Sequence, residues 1–190
     1  MSSYYRQQLE AYLKTLDVKA VNVLDVGGSQ LTLQKRVKSW DVQEYKILDL
    51  PQPHKVEKMP DIMCDINYSC PLIIQQSFDI VFCLEVMEYV WNPSQALLNI
   101  SWYMDQGSIL YITFPKFYPV HEPIEQDYLR YTKQGALKLL EHTGFQAKKI
   151  TPRKMMAASL GQVYSAEKMR AAKGYEGHED IGYIIEAIKI

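Results

Sequence analysis

Residues 21–30 read Val-Asn-Val-Leu-Asp-Val-Gly-Gly-Ser-Gln. A β-branched, apolar run that ends in an acid and two glycines is a buried strand feeding a tight turn. Leu33, Val37 and Trp40 then predict a helix that starts in that turn. A unit of this kind opens an α/β fold built on an open, parallel sheet. Ligands in such sheets bind outside the carboxyl ends of the strands, which is where this turn lies.

The rest of the chain repeats the alternation. Tyr5, Leu9, Tyr12, Leu13 and Leu16 recur at helical spacing and predict a short amphipathic helix ahead of a first strand at 20–26. Further strands are expected at 44–50, 61–65, 78–84, 108–114, 145–150 and 182–190. The run 78–84, Phe-Asp-Ile-Val-Phe-Cys-Leu, has the near-continuous apolar character of a parallel strand buried on both faces. Asn92 followed by Pro93 is a cap before proline at the first helical position. The helix there carries Ala96, Leu97, Ile100 and Met104 inward and is expected to end at Gly107. Thr132 caps a helix through His142, with Gly144 beyond its end. Residues 154–172 have helical composition, with Met156, Leu160 and Val163 on one face. A single domain over 1–190 is expected, with a short lid-like insertion at about 152–180.

Composition narrows the function classes. The 190 residues are 47% hydrophobic and 23% charged, with a net charge of −1. So balanced a chain has no broad positive field, which argues against a bulk nucleic-acid binder. Cys64, Cys70 and Cys83 are odd in number and match no metal-ligand spacing, so neither a metal nor a disulfide framework is expected, and a reducing compartment is. Cys83 reads as a buried small hydrophobe. No apolar stretch is long enough to span a membrane and no signal-peptide core is visible, so a cytoplasmic protein is expected.

Gly27 and Gly28 remove the side chains that would hold a ligand off the backbone. The amides that follow can face a carboxylate or a ribose. Asp25 is placed to anchor an ammonium group or the turn itself. Asp49 ends the second strand about 20 residues beyond the turn, where an acid in this topology meets ribose hydroxyls. The pair suits a dinucleotide or S-adenosylmethionine. The third glycine that a pyrophosphate requires is missing, which weighs against NAD and FAD.

Over residues 21–145 the chain resembles the class I S-adenosylmethionine-dependent methyltransferases. Leu24-Asp25-Val26-Gly27-Gly28-Ser29 is similar to their glycine-rich first motif, although Ser29, Gln30 and Leu31 stand where members usually place a further glycine. Asp49 matches their ribose-binding acid and Cys64-Asp65-Ile66 their adenine contacts. Residues 77–90, Ser-Phe-Asp-Ile-Val-Phe-Cys-Leu-Glu-Val-Met-Glu-Tyr-Val, resemble the signature around their fourth strand, and Gln106-Gly107-Ser108-Ile109-Leu110 the entry to their fifth. The resemblance implies a Rossmann-like, doubly wound, mostly parallel seven-stranded sheet flanked by helices, its last strand antiparallel. It implies a donor site of Asp25, Gly27, Gly28, Ser29, Asp49, Leu50, Cys64, Asp65, Ile66, Cys83, Leu84 and Glu85.

Residues 121–132, His-Glu-Pro-Ile-Glu-Gln-Asp-Tyr-Leu-Arg-Tyr-Thr, are similar to the HxxPxDYxRYT-type loop of small bacterial and phage methyltransferases, many of them in glycan contexts. His121 is the candidate base for a hydroxyl acceptor, histidine being the side chain suited to that role. Asp127 is expected to orient His121 or bind a sugar hydroxyl, and Arg130 to hold an anionic group on the substrate, unless the two pair with each other. Tyr118, Tyr128 and Tyr131 offer an aromatic wall for substrate, or a small loop core. Met155 and Met156 open the insertion, where packing is their simplest role. Lys148, Lys149, Arg153 and Lys154 form a basic cluster, read as a solvated face or an anion contact. The expected activity is O-methylation of a small molecule or glycan, with dimerisation a way to complete the site. The alternatives are a degenerate, non-catalytic binding module and a nucleic-acid or protein methyltransferase.

Overall fold

The computed structural model describes residues 4–70, 77–155 and 179–190. The expected helix at 154–172, Met156 and nearly all of the lid-like insertion lie outside the described residues. The elements are α1 (Tyr4–Leu13), β1 (Asp17–Val26), β2 (Ser39–Asp49), β3 (Ile62–Met63), β4 (Phe78–Cys83), α2 (Pro93–Trp102), β5 (Met104–Pro115), α3 (Lys133–His142), β6 (Phe145–Lys154) and β7 (Asp180–Lys189). They form one seven-stranded sheet in the order β3-β2-β1-β4-β5-β7-β6. The strands from β3 to β5 run parallel, and β7 inserts antiparallel between β5 and β6. This is the Rossmann-like sheet, with its last strand antiparallel, that the resemblance implies.

Because β1 pairs with β2 on one side and β4 on the other, the winding reverses there and opens a crevice at their carboxyl ends. Side-chain alternation divides the core between the two faces. Leu24, Val26, Val81, Cys83, Leu110 and Ile112 pack with Ala96, Leu97 and Ile100 of α2 and Ala136 and Leu140 of α3. Val23, Ile80, Phe82 and Ile184 pack with Leu9, Tyr12 and Leu13 of α1. The caps are those expected: Asn92 accepts from the Gln95 amide and Thr132 from the Gly135 amide.

No helix follows the glycine turn. β1 and β2 are both longer than the sequence suggests, and Asp17 pairs directly with Ser39. The chain must therefore return from Val26 along all of β1, roughly 30 Å at about 3.3 Å per residue. The thirteen steps from 26 to 39 would cover only about 20 Å as helix. The crossover is a run of turns and bends instead, and its side chains do the work a helix would have done. Leu33 is fully buried and Arg36 pairs with Glu10 of α1 at 2.8 Å. Trp40, expected on the helix, belongs to β2.

Gly107 is the second correction. α2 stops at Trp102, and Gly107 (φ +86°) sits in β5, where the register with β4 shifts. A left-handed glycine serves a helix end and an irregular strand start equally well. No helix among the described residues is long and apolar enough to cross a membrane.

Asp25 faces the α1 side of the sheet, where its buried carboxylate accepts a 2.6 Å hydrogen bond from the Tyr45 hydroxyl. A Cβ at position 28 would collide with that carboxyl. Asp25 thus anchors the turn and not a ligand. Burial pushes its pKa up from 3.8 to about 7, the Tyr45 bond opposing. Between these values the folded chain keeps a proton that the unfolded chain releases, so stability falls as pH rises through that window. Urea unfolding of wild type and Asp25→Asn from about pH 4 to 7 is expected to show it. The wild-type free energy should drop relative to the variant by on the order of 1.4 kcal/mol per pH unit at the steepest. Parallel curves would place the titration elsewhere.

Candidate active site

At the carboxyl end of β1, Gly27 adopts φ +78° and donates its N–H to the Leu48 carbonyl at 2.8 Å. A side chain here would strike Val86 in any conformation, so glycine is required. The turn delivers the Ser29 amide to Asp49 Oδ2 at 3.1 Å, and the Leu50 amide reaches Oδ1 at 2.8 Å. The carboxylate is held from both sides, and each oxygen keeps a further acceptor position. It faces a cleft of about 330 Å³ that Gly27, Leu50, Asp65, Ile66 and Glu85 also line.

The far wall of this cleft is the loop after β3. Asp65 Oδ1 accepts from the backbone and side-chain amides of Asn67, and Asn67 Oδ1 accepts from the Asn92 amide. Asn99, fully buried on α2, donates to the carbonyls of Ile66 (2.9 Å) and Tyr68 (2.6 Å). Cys64 and Cys70 are joined in a disulfide across Cα atoms 5.8 Å apart. This corrects the expectation of reduced cysteines: the Asx turn at Asp65 and the Asn99 bonds curl the loop back until its ends meet. Cys83 is free and buried, as expected.

A second chamber of about 520 Å³ shares Gln30, His54, Lys55, Glu85 and Tyr89 with the first. His121, Tyr118 and Glu88 line it. Behind His121, the solvent-free carboxylate of Asp127 binds Arg130 through both oxygens, one at 2.7 Å, and accepts the His121 amide at 3.0 Å. Arg130 holds that carboxyl below the usual range. The rest of the guanidinium goes to the carbonyls of Tyr118, Pro119 and Leu129. Nδ1 of His121 lies 3.2 Å from Asp127 Oδ2, and Nε2 lies 2.8 Å from the Tyr89 hydroxyl, which donates to the Glu122 carbonyl.

An acidic wall completes the chamber. Glu85 adopts φ +57°, a left-handed conformation uncommon outside glycine, and its amide donates to Thr113 Oγ1 at 2.7 Å. Its carboxylate meets Arg153 at 2.8 Å. Arg153 is 1% exposed, lies over the Tyr5 ring at 3.4 Å and donates to the Tyr5 hydroxyl. Glu88 is buried beside this pair.

Of the residues put forward from the sequence, the structure brings Gly27, Asp49, Leu50, Cys64, Asp65, Ile66, Glu85 and Tyr128 to the first cleft and Tyr118 and His121 to the second. Gly28 and Ser29 are buried in the turn, Ser29 acting through its amide. Strand alternation turns Cys83 toward the helices and Leu84 toward the α1 side. Tyr131 is core: its ring packs 4.9 Å from Phe114 and its hydroxyl donates to the Met87 carbonyl. Asp127 and Arg130 line neither cavity, because each satisfies the other. Arg153 is no solvated cation. Tyr89, Glu88 and Asn99 were not singled out, although Tyr89 and Glu88 stand inside the fourth-strand signature.

No family model matches the sequence, and no curated protein does. Solved structures do. The chain superposes on a chain of the complex between the Trm112 methyltransferase activator and a methyltransferase of Haloferax volcanii with a TM-score of 0.63 at 11% identity, over 98% of this chain and 89% of that one. The N-methyltransferase NodS of Bradyrhizobium japonicum gives 0.59 at 11%, over 98% and 96%. The [4+2]-cyclase SpnF gives 0.59 at 17%, over 98% and 80%. The fold is therefore that of the class I methyltransferases. A fold hosts more than one chemistry, so the reaction has to be argued from the site.

Asn99 supports the loop without lining the cleft. Asn99→Ala is expected to cost about 1–3 kcal/mol by orphaning two carbonyls, lowering Tm by several degrees. It should also weaken adenosine binding measured by calorimetry. Unchanged adenosine affinity would separate the loop from the ligand.

Proposed function

We propose that the protein is an S-adenosylmethionine-dependent methyltransferase that methylates a hydroxyl on a small molecule or sugar. The observation that carries this reading is Asp49. Its carboxylate is held by two amides in a cleft that opens onto a second chamber containing His121. The residues fit the donor: Asp49 accepts ribose hydroxyls, Asp65 and Ile66 flank an adenine, and Gly27 leaves the turn open. When bound, S-adenosylmethionine supplies a methyl group already activated on a sulfonium, so the protein's task is alignment. Arg130 fixes Asp127, Asp127 fixes the loop at His121, and His121 holds the Tyr89 hydroxyl where the two cavities meet.

The N-methyltransferase among the similar structures makes an amine the second acceptor class to screen. A nucleic-acid substrate has less support, since the chain carries a net charge of −1 and the acceptor chamber has an acidic wall.

Calorimetric titration with S-adenosylmethionine and S-adenosylhomocysteine tests the reading. Micromolar binding of both is expected, and Asp49→Ala should weaken it at least about tenfold, the loss of one charge-assisted contact, with Tm little changed. Full affinity in the variant would remove Asp49 from the donor site. No binding to wild type at millimolar ligand would favour a non-catalytic module.

A further inference from the structure

Methylating a hydroxyl requires a group to take its proton, and the residue put forward for this, His121, has its Nε2 against the Tyr89 hydroxyl and a buried Nδ1, without a hydrogen bond, beside Asp127. Nε2 meets the Tyr89 hydroxyl at 2.8 Å and Nδ1 faces Asp127 Oδ2 at 3.2 Å. Glu88 is differently placed. It lines the second chamber, is 2% exposed, and its Oε2 has no hydrogen-bond partner. A buried acceptor atom without a partner, on a residue that lines a cavity, is suited to a donor from a bound molecule.

The charged groups around Glu88 leave it in that role. Glu85, on the turn after β4, is paired with Arg153 of β6. Asp127 is paired with Arg130. From the same loop His121 Nε2 stands 3.9 Å from Glu88 Oε1, and the buried Tyr131 hydroxyl, bonded to the Met87 carbonyl, feels the Glu88 charge. One nitrogen of Arg153 and the fork of Arg130 are thus paired with other carboxylates, Nε and Nη1 of Arg153 have no hydrogen-bond partner, and Arg6 and Lys55 line the same chamber. Burial first and the Glu85 charge second push the Glu88 carboxyl up to about 8, with Arg153 opposing. A base is most effective when its pKa lies near the working pH.

The chamber walls indicate the acceptor. Tyr118 and Tyr89 meet the His121 ring edge to face, with centroids 5.0 and 5.5 Å away. Three rings around one space favour a flat aromatic molecule over a saturated one. A phenol ionises near 10, close enough to this carboxyl for proton transfer; an aliphatic alcohol is a far weaker acid.

We propose that Glu88 takes the proton of the methyl acceptor, and that the acceptor is a phenolic hydroxyl held among the rings of Tyr89, Tyr118 and His121. The inference rests on the methyltransferase reading and makes its substrate class specific. Oε2 accepts the phenolic proton as the oxygen's electron pair forms the bond to the methyl carbon. The carbon–sulfur bond breaks and its pair remains on sulfur, so the products are a methyl aryl ether, the thioether and a protonated Glu88. Release of that proton to solvent restores the base.

The test compares wild type with Glu88→Gln, which keeps the shape and neutrality of the protonated acid, and with Glu88→Asp. S-adenosylhomocysteine should bind wild type and Glu88→Gln within about threefold of each other; failure of wild type to bind it overturns the donor reading itself. With that ligand present and the glutamate carboxyls labelled with ¹³C, one resonance missing from Glu88→Gln is expected to titrate near pH 8. A Glu88 already ionised at pH 5 overturns the role of Glu88 alone. Transfer of labelled methyl to phenol, catechol, methyl glucoside and benzylamine is then followed against pH. Transfer to the phenols is expected, rising toward pH 8 in wild type. In Glu88→Gln it should be flat and about 100-fold slower, with Glu88→Asp recovering part of the loss. An unchanged pH profile in Glu88→Gln overturns the base assignment. Transfer only to the glucoside or the amine, or no transfer to the phenols, overturns the phenolic one.

Discussion

β1 hydrogen-bonds in parallel to β2 and β4 at once, and the positions of Gly27, Asp49 and Glu85 follow from that double pairing. It puts Val26, Leu48 and Cys83 level at the top of the sheet, so the turns that leave these strands share one crevice. Gly27 can bond back to Leu48 only because the strands end together. Asp49 then lies within reach of the Ser29 amide. A slip of one residue would turn Asp49 to the opposite face and dismantle the floor of the cleft.

The central parallel strands were legible because their buried ends are apolar runs bounded by glycine, proline or acid, and buried parallel strands need little more than that. The crossover after Gly28 was not. Leu33 and Val37 keep helical spacing, yet the distance to be covered from Val26 to Ser39 overrules local periodicity, and that distance is set by strand pairing that no window of sequence contains. Gly107 shows the same limit from another side: its need for positive φ was readable, the element it served was not.

Within the site, the readable residues were those whose role is local. Gly27, Asp49 and Asp65 act where their own strands end. Arg130 and Asp127, three apart, were recognisable as a pair. The residues that escaped notice act across the chain. Asn99 reaches back to Ile66 and Tyr68, and Arg153 joins Glu85 to Tyr5. A lone arginine in a basic stretch gives no hint that it is buried, because its partners lie 68 and 148 residues away. The cysteine pair belongs here too, its closure decided by the turn between the two residues.

Tyr5 and Arg6 place the amino-terminal helix at the second chamber: Tyr5 packs 4.6 Å from Tyr118 and beneath Arg153, and Arg6 lines the cavity. The first cleft is lined from the ends of β1, β2 and β3, the turn after β4, and Gln126 and Tyr128 of the later loop, with no residue of α1. The two cavities nevertheless share Gln30, His54, Lys55, Glu85 and Tyr89 as a common wall. Drift at Tyr5 or Arg6 can retune the second chamber while Gly27, Asp49 and Asp65 keep their places, whereas drift at Gln126 or Tyr128 reshapes the first cleft as well.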